Sequence, residues 1–155
     1  NTEVCAMITD GEEAGLRGCK SWAKNHYDEY VNSGVETVVL CVDTLTDREY
    51  LRVYNKDMTG TVKNNQQFSQ LVMDASKDAG HDDIELSSVF FGSSDAAAFS
   101  QAGITATCLA AMDPRPADYY HNRRDTADRL VPETIKTGFD VIISTILNFD
   151  EKGLN

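Results

Sequence analysis

Two adjacent carboxylates, Glu12 and Glu13, are the residues whose types and position best suit chemistry in this sequence. They follow an apolar stretch at residues 2–9 and precede a segment with helical spacing, so both side chains can project from one turn into a shared cleft. One carboxylate can then bind a metal ion while the other moves a proton, as a hydrolytic metal site requires. The pair also has a plainer explanation, because acidic residues favour the first turn of a helix through its dipole.

Asp43 and His121 are two further candidate metal ligands. Asp43 follows the apolar run at residues 38–42, and His121 lies in a polar stretch that also offers aromatic donors. Carboxylate oxygen and imidazole nitrogen together suit zinc, and one Glu of the pair is then free to act as a base. Taken singly, each residue is ordinary, since Asp commonly ends strands and a lone His in a loop is usually just exposed. The spacing leaves open whether Glu12 or Glu13 is the ligand.

Hydrophobic periodicity predicts the elements that hold these residues. Residues 2–9 and 38–42 are predicted as strands buried on both faces, and residues 16–31 have helical spacing and end before Gly34. A strand, a helix and a strand form a βαβ unit, whose strands are parallel with a right-handed crossover. Ligands bind at the carboxyl ends of such strands, so Glu12, Glu13 and Asp43 are expected to lie together.

The rest of the chain continues as alternating elements. We predict an edge or hairpin strand at residues 50–54, a helix at 68–79, a strand at 85–91, a short helix after the turn at 92–95, a strand at 104–109 and an amphipathic helix from Pro132. An irregular stretch at residues 112–130 separates the last two elements, and such long loops in compact domains are often functional. The pattern predicts one α/β domain.

The composition argues against several classes of partner. The 155 residues carry a net charge of −11, which disfavours nucleic acids and anionic membrane surfaces. No apolar run reaches the roughly 18 to 20 residues that cross a bilayer, so we expect a soluble protein whose compartment stays open. The cysteines are far apart and form no CxxC pair, which predicts buried free thiols rather than a zinc knuckle.

Four segments, taken in order, resemble a known family. They are DGEEAGLRGCKSWAK, VVLCVDTL, FFGSSDAAAFSQAGITAT and YYHNRRDTADRL, and the likeness extends over roughly residues 4–149. The set resembles the second half of the M28 family of zinc aminopeptidases. The first segment alone is also similar to the M42 and, more loosely, the M20 peptidases, whereas the last segment favours M28. The resemblance implies a three-layer α/β fold with a mixed, mainly parallel sheet flanked by helices, in which residues 1–155 are a single domain, the C-terminal portion of the peptidase domain.

The resemblance also implies a role for each candidate residue. Glu12 matches the general base, which takes a proton from the metal-bound water and passes it to the leaving amine. Glu13 matches a zinc ligand, Asp43 a ligand of the other zinc ion, and His121 a further ligand. The implied reaction is two-zinc hydrolysis of the N-terminal residues of peptides.

Three supporting residues follow from the same motifs. Tyr120 matches a tyrosine that donates to the tetrahedral oxyanion in some members, although a packed loop tyrosine fits nearly as well. Asp125 matches an acid that orients the ligand loop. Asp95 lies in a Gly-Ser-Asp-His-type motif, but Ala96 stands where many members have His, so we expect Asp95 to be primarily structural.

The family's site needs two more ligands than this chain offers. These are a His in a His-x-Asp motif and an Asp that bridges the metals, both upstream of Glu12, where residues 1–10 provide only Glu3 and Asp10. We therefore expect the N-terminal part of the domain to lie outside this chain, and the lone chain to be inactive or incomplete. Sheet surface left exposed is expected to pair with the upstream segment or with a second copy.

Two other functions remain alternatives at this point. One is a non-catalytic binding or scaffold domain with the zinc-peptidase fold. The other is an acyltransferase of the glutaminyl cyclase type, which has the same fold, uses one zinc ion and has a different loop around the His.

Overall fold

A computed structural model describes residues 1–113, 115 and 117–154 of the chain. The strands in this part are β1 (Val38–Asp43), β2 (Leu51–Asp57), β3 (Val62–Lys63), β4 (Glu85–Ser88) and β5 (Thr105–Ala111). The α-helices are α1 (Arg17–Tyr30), α2 (Gln66–Asp78), α3 (Asp95–Gln101) and α4 (Pro132–Lys152). Single 3-10 turns at Arg48–Tyr50 and Ala127–Arg129 precede β2 and α4. None of the described helices is both long and apolar enough to cross a membrane.

The strands form one mixed sheet. β1 pairs with β5 in parallel, and β5 pairs with β2 in antiparallel orientation. β2 also pairs with the parallel strand β4 and, near its end, with the short antiparallel strand β3. β1, β3 and β4 each pair with one strand only and therefore form the edges of the sheet.

Helices cover both faces of this sheet. On one face, Val39 and Cys41 of β1 pack into a core cluster with α1 and α3. On the other face, Val38 and Leu40 pack toward a second cluster that includes Phe68 of α2 and Val141 of α4. The alternation follows from the two-residue period of a strand. The predicted three-layer α/β fold is confirmed.

Several helix and strand predictions are confirmed because their signals are local. The Asn65 side chain caps α2 by accepting a hydrogen bond from Phe68 N at 2.8 Å. Pro132 lies in the first turn of α4, where its missing N–H costs nothing. The apolar runs at residues 38–42 and 104–109 form β1 and β5. The predicted irregular stretch contains the 3-10 turn at Ala127–Arg129, and Pro114 and Pro116 within it lie outside the described residues.

The prediction of a strand at residues 2–9 is wrong. This segment has no strand pairing in the described part of the chain, and its apolar side chains Val4 and Ile8 are 59% and 100% exposed. A strand needs a neighbour for its backbone groups, and this segment has none within residues 1–113, 115 and 117–154. The expected βαβ unit therefore lacks its first strand, although α1 and β1 form as predicted.

The strand predicted at residues 85–91 is shorter than expected. β4 ends at Ser88, where the β2 ladder shifts register between Tyr54 and Lys56. Phe90 and Phe91 lie beyond the ladder and are 74% and 73% exposed. The apolar pattern alone does not reveal where the partner strand stops pairing.

Candidate active site

Glu12 and Glu13 lie in a turn that leads into α1. Gly15 N and Leu16 N both donate to Glu12 O, at 2.9 and 2.8 Å, and Arg17 N donates to Gly11 O at 3.0 Å. The positive φ angles of Gly11 and Gly15 allow the chain to make this turn. The first turn of α1 contains no acidic residue. The helix-dipole explanation for the acidic pair therefore does not apply.

Gly18 holds this turn against the helix. Its N–H donates to Asp10 O at 2.9 Å. A Cβ at position 18 would lie 2.9 Å from Asp10 N and closer still to Asp10 O. Only glycine permits this approach. The approach fixes the position of Asp10 relative to α1, and through Asp10 that of Glu12 and Glu13.

His121 and Glu13 are in direct contact. His121 Nε2 lies 3.0 Å from Glu13 Oε1, and both side chains are more than half exposed. The His121 backbone has a positive φ of 55°, and its ring stacks on that of Tyr120 with centroids 3.8 Å apart. The loop that carries His121 thus reaches the turn formed by residues 10–16, called here the acidic turn because it carries Glu12 and Glu13, although 108 positions separate residues 13 and 121.

Glu12 has the most perturbed carboxylate of the site. Partial burial raises its pKa to about 7, with further contributions from the nearby charges of Glu13, Asp43 and Asp95, while His121 opposes the shift. A carboxyl group with this pKa exchanges protons readily near neutral pH, as a general base must.

Asp43 lies at the carboxyl end of β1, as predicted. Burial raises its pKa; hydrogen bonds from Thr44 oppose this, and the charges of Asp95 and Glu13 add to it. The Thr44 hydroxyl donates to Asp43 Oδ1 at 2.9 Å. Carboxylates that raise one another's pKa form a negative region, and a bound cation would relieve that repulsion.

Asp95 connects α3 to the acidic turn. Its Oδ2 accepts a hydrogen bond from the Thr9 hydroxyl at 2.7 Å, three residues before Glu12. Its Oδ1 is buried and has no hydrogen-bond partner in the described part of the chain. Burial, and then the Asp95 carboxylate, raises the pKa of the Cys19 thiol to about 12.

Asp57 is a supporting residue that the sequence did not indicate. It is fully buried at the end of β2 and accepts hydrogen bonds from Ser94 N at 2.9 Å, Ser94 Oγ at 2.6 Å and Met58 N at 2.7 Å. These bonds hold Ser94, the N-cap of α3, directly before Asp95. An Asp that ends a strand is too common in sequences to be singled out.

Asp125 is less closely connected to the site than Tyr120, whose ring stacks on His121. Asp125 is exposed, and its backbone N–H donates to Asn122 O at 3.1 Å. Among the described residues, no side-chain hydrogen bond or ion pair joins it to His121. Tyr120 is 46% exposed; burial and the charges of Glu13, Glu12 and Asp43 raise the pKa of its hydroxyl.

The donors present fit zinc only in part. The ligand atoms around a tetrahedral zinc ion lie about 3.3 to 3.4 Å apart, close to the 3.0 Å between His121 Nε2 and Glu13 Oε1. The orphaned Oδ1 of Asp95 adds an unused acceptor nearby. However, no group of three or more His, Cys, Asp or Glu side chains within residues 1–113, 115 and 117–154 is arranged to hold a metal ion.

A match to a protein-family model relates this chain to known proteins. The model described as Peptidase family M28 matches residues 1–146, which is most of the chain. The chain belongs to peptidase family M28. A comparison with curated proteins gave no significant match.

Solved structures with the same fold include aminopeptidases and a glutaminyl cyclase. The LapA aminopeptidase of Legionella pneumophila aligns with a TM-score of 0.72 at 17% identity, covering 89% of this chain and 37% of that one. BSAP, a zinc aminopeptidase from Bacillus subtilis, aligns with 0.64 at 21% identity, covering 90% and 33%. The Acidobacteriales bacterium glutaminyl cyclase aligns with 0.68 at 17% identity, covering 89% and 47%. This M28 chain therefore spans between a third and half of the length of these structures.

Proposed function

We propose that this M28 chain supplies part of the active site of a zinc-dependent aminopeptidase, with Glu12 as general base and Glu13 and His121 as zinc ligands. The observation that carries the proposal is the contact between His121 Nε2 and Glu13 Oε1 beside a carboxyl group whose pKa is about 7. A ligand pair and an adjacent base are the parts that hydrolysis by metal-activated water needs.

Each of the candidate site residues has a distinct role in this proposal. Glu13 and His121 would hold one zinc ion, and Asp43, at the end of β1, would contribute to a second. Bound zinc supplies a Lewis acid that activates water and polarises the peptide carbonyl. Glu12 accepts a proton from the attacking water and returns it to the leaving amine, and its pKa near neutrality suits both transfers. Neighbouring carboxylates favour the positively charged amino terminus of a peptide substrate.

Three further residues support the reacting groups. Tyr120 would donate its hydroxyl to a developing oxyanion, and the stacking of its ring on that of His121 supports this role. Asp95 positions the turn before Glu12 through its hydrogen bond from Thr9. Asp125 is assigned to the loop that carries His121, in which its backbone N–H donates to Asn122 O at 3.1 Å.

The test combines zinc binding with hydrolysis of aminoacyl-anilides. It uses residues 1–155 and the longest natural polypeptide that contains them. In the longer polypeptide, Glu12→Gln should lower kcat by about 10²- to 10⁴-fold with zinc affinity retained, whereas Glu13→Gln should lower zinc affinity itself. An exposed acid far from the site, in the variant Glu151→Gln, is the matched control. Undiminished turnover in the Glu12→Gln variant would refute the role of Glu12 as general base. If neither polypeptide binds zinc, the proposed zinc-dependent activity is refuted.

Two alternatives rest on specific observations. The fold shared with a glutaminyl cyclase favours cyclisation of an N-terminal Gln, and product analysis with a Gln-initiated peptide separates cyclisation from hydrolysis. The absence of a preformed three-ligand group among the described residues favours a binding or scaffold domain. A polypeptide that binds peptides but neither zinc nor anilide substrates would support that second alternative.

A further inference from the structure

The loop that carries His121 turns sharply at this residue. The Asn122 N–H donates to Tyr119 O at 3.3 Å, which closes a four-residue turn with His121 in the third position. His121 has a positive φ of 55°, whereas the φ of Tyr120 is not positive. This combination is typical of a type II turn, whose third position is usually occupied by glycine. A histidine in that position needs neighbouring groups that hold the turn.

Burial does not hold this turn. Residues 120–129 are exposed, and the side chains of His121 and Glu13 are 52% and 71% exposed. Rotation of the peptide between the second and third residues by roughly half a turn converts a type II turn into a type I turn, in which His121 would have the negative φ that side chains favour. The rotation would also change the direction in which the Cα–Cβ bond of His121 points. Local hydrogen bonds must therefore keep this peptide in place.

The side chain of Asn122 makes three such hydrogen bonds. Its Nδ2 donates to Tyr120 O at 3.1 Å and to Asp118 O at 3.0 Å, and its Oδ1 accepts from Arg124 N at 2.9 Å. Tyr120 O belongs to the peptide that rotates between the two turn types, so the first of these bonds acts on that peptide directly. The other two bonds attach the amide to the chain on both sides of the turn.

Only one orientation of the Asn122 amide satisfies all three partners. The two carbonyl oxygens can only accept, so they must face Nδ2, and the Arg124 N–H can only donate, so it must face Oδ1. An amide turned by half a rotation would place its oxygen against two other oxygens. An ionised aspartate would have the same fault, because both of its side-chain oxygens are acceptors. The three bonds therefore require asparagine rather than any residue of the same size.

We propose that Asn122 is a positioning residue for His121, because its amide holds the peptide between Tyr120 and His121 in the orientation that directs the imidazole to Glu13. The loop is then preorganised, so less conformational freedom is lost when the imidazole binds a ligand. The consequence for zinc affinity rests on the proposed function, in which Glu13 and His121 are zinc ligands. The turn itself is a property of the chain and can be tested separately.

Two ion pairs in the same loop provide a matched control. The Asp118 carboxylate lies 3.6 Å from Arg124 Nη1 and 3.4 Å from Arg129 Nη1, and all three side chains are exposed. Exposed ion pairs of this kind contribute little to stability. The variant Asp118→Asn removes the charge from both pairs but keeps Asp118 O, which accepts from Asn122. It therefore weakens the loop elsewhere and leaves the bonds of the Asn122 amide in place.

Nuclear magnetic resonance of residues 1–155 in a chelating buffer tests the turn. In a type II turn the Hα of Tyr120 lies close to the N–H of His121 and their nuclear Overhauser effect is strong, whereas in a type I turn these protons are farther apart. The parent should show the strong effect, and Asn122→Ala and Asn122→Asp should weaken it by about threefold or more. Asp118→Asn should keep it. So should Asn25→Asp, which adds the same charge at an exposed position of α1.

Zinc affinity of the longest natural polypeptide that contains these residues tests the consequence for the site. The variant His121→Ala first establishes that His121 is needed for zinc binding. Asn122→Ala should then lower the affinity by about 10- to 100-fold, as the loss of a group that orients a ligand does. Asn122→Asp should lower it too, although its added negative charge by itself favours a cation. Asp118→Asn should change it by less than about twofold. Competition with a chelating dye measures the affinities, and thermal melts show that each variant is folded.

Four results would overturn the proposal. They are a weak Overhauser effect in the parent, a strong effect retained in Asn122→Ala, an equal loss in Asp118→Asn, and unchanged zinc affinity in an Asn122 variant whose turn is lost. The second result would show that the stacking of Tyr120 on His121 holds the turn without the amide. If instead His121→Ala binds zinc as tightly as the parent, the proposed ligand role of His121 fails. The Overhauser effects then still decide whether Asn122 holds the turn.

Discussion

Replacing Gly18 with alanine should destabilise this chain, although the same change in an ordinary helix stabilises. Alanine is favoured over glycine inside a helix by about 1 kcal/mol. Here the new Cβ would lie 2.9 Å from Asp10 N and closer to Asp10 O, which is backbone and cannot rotate away. Overpacking of this kind costs about 1 to 3 kcal/mol, and loss of the hydrogen bond from Gly18 N to Asp10 O adds about 1 kcal/mol.

The net expectation for Gly18→Ala is a loss of about 1 to 3 kcal/mol, or a decrease in Tm of several degrees. Asp10 must also move, and the acidic turn moves with it, so zinc affinity should fall as well. Urea denaturation measures the first effect and competition with a chelating dye the second. Gly138→Ala is the control, because the three atoms nearest to its Cβ all belong to the Leu45 side chain, which can rotate away, and the closest is the terminal Cδ1 at 2.6 Å. A Gly18→Ala chain that is as stable as the parent and binds zinc equally well would refute the steric argument.

Two further predictions concern buried and partly buried carboxylates. Because the pKa of Glu12 rises from 4.5 unfolded to about 7 folded, its ionisation opposes folding above pH 7, and this effect disappears as pH falls to 4.5. In zinc-free protein, Glu12→Gln should therefore raise Tm at pH 8 but not at pH 4.5, while the surface control Glu151→Gln shows no such trend; equal effects at both pH values would contradict this. Asp57→Ala leaves the N–H groups of Met58 and Ser94 and the Ser94 hydroxyl without their buried acceptor, so urea denaturation should show a loss of about 2 to 4 kcal/mol, and clearly less for Ser94→Ala. If the Asp57→Ala variant is as stable as the parent chain, the prediction is wrong, because other acceptors must then replace the Asp57 carboxylate.

Much of the fold was predictable because its signals are local. Caps at Asn65 and Pro132 mark where α2 and α4 begin, and the apolar runs of β1 and β5 are visible in the sequence. Residues 2–9 have an equally apolar run but form no strand. The difference is the neighbour: β1 has β5, whereas residues 2–9 face a cavity.

The candidate site was predictable only as a set of residue types. Glu12, Glu13, Asp43 and His121 were identified from their positions in motifs, and the contact between His121 and Glu13 supports that choice. The network that joins Asp57 to Ser94 was not predictable, because a buried Asp and an exposed Asp look alike in a sequence.

By itself, the sequence determined the order of the elements, the identity of the candidate acids and the histidine, and the family resemblance. Only the tertiary structure decided that Glu13 meets His121, that Glu12 has a pKa near neutrality and that residues 2–9 form no strand. The physical reason is that helix caps and apolar periodicity act between residues a few positions apart. Desolvation, charge repulsion and strand pairing instead depend on distances through space, which only the folded chain sets.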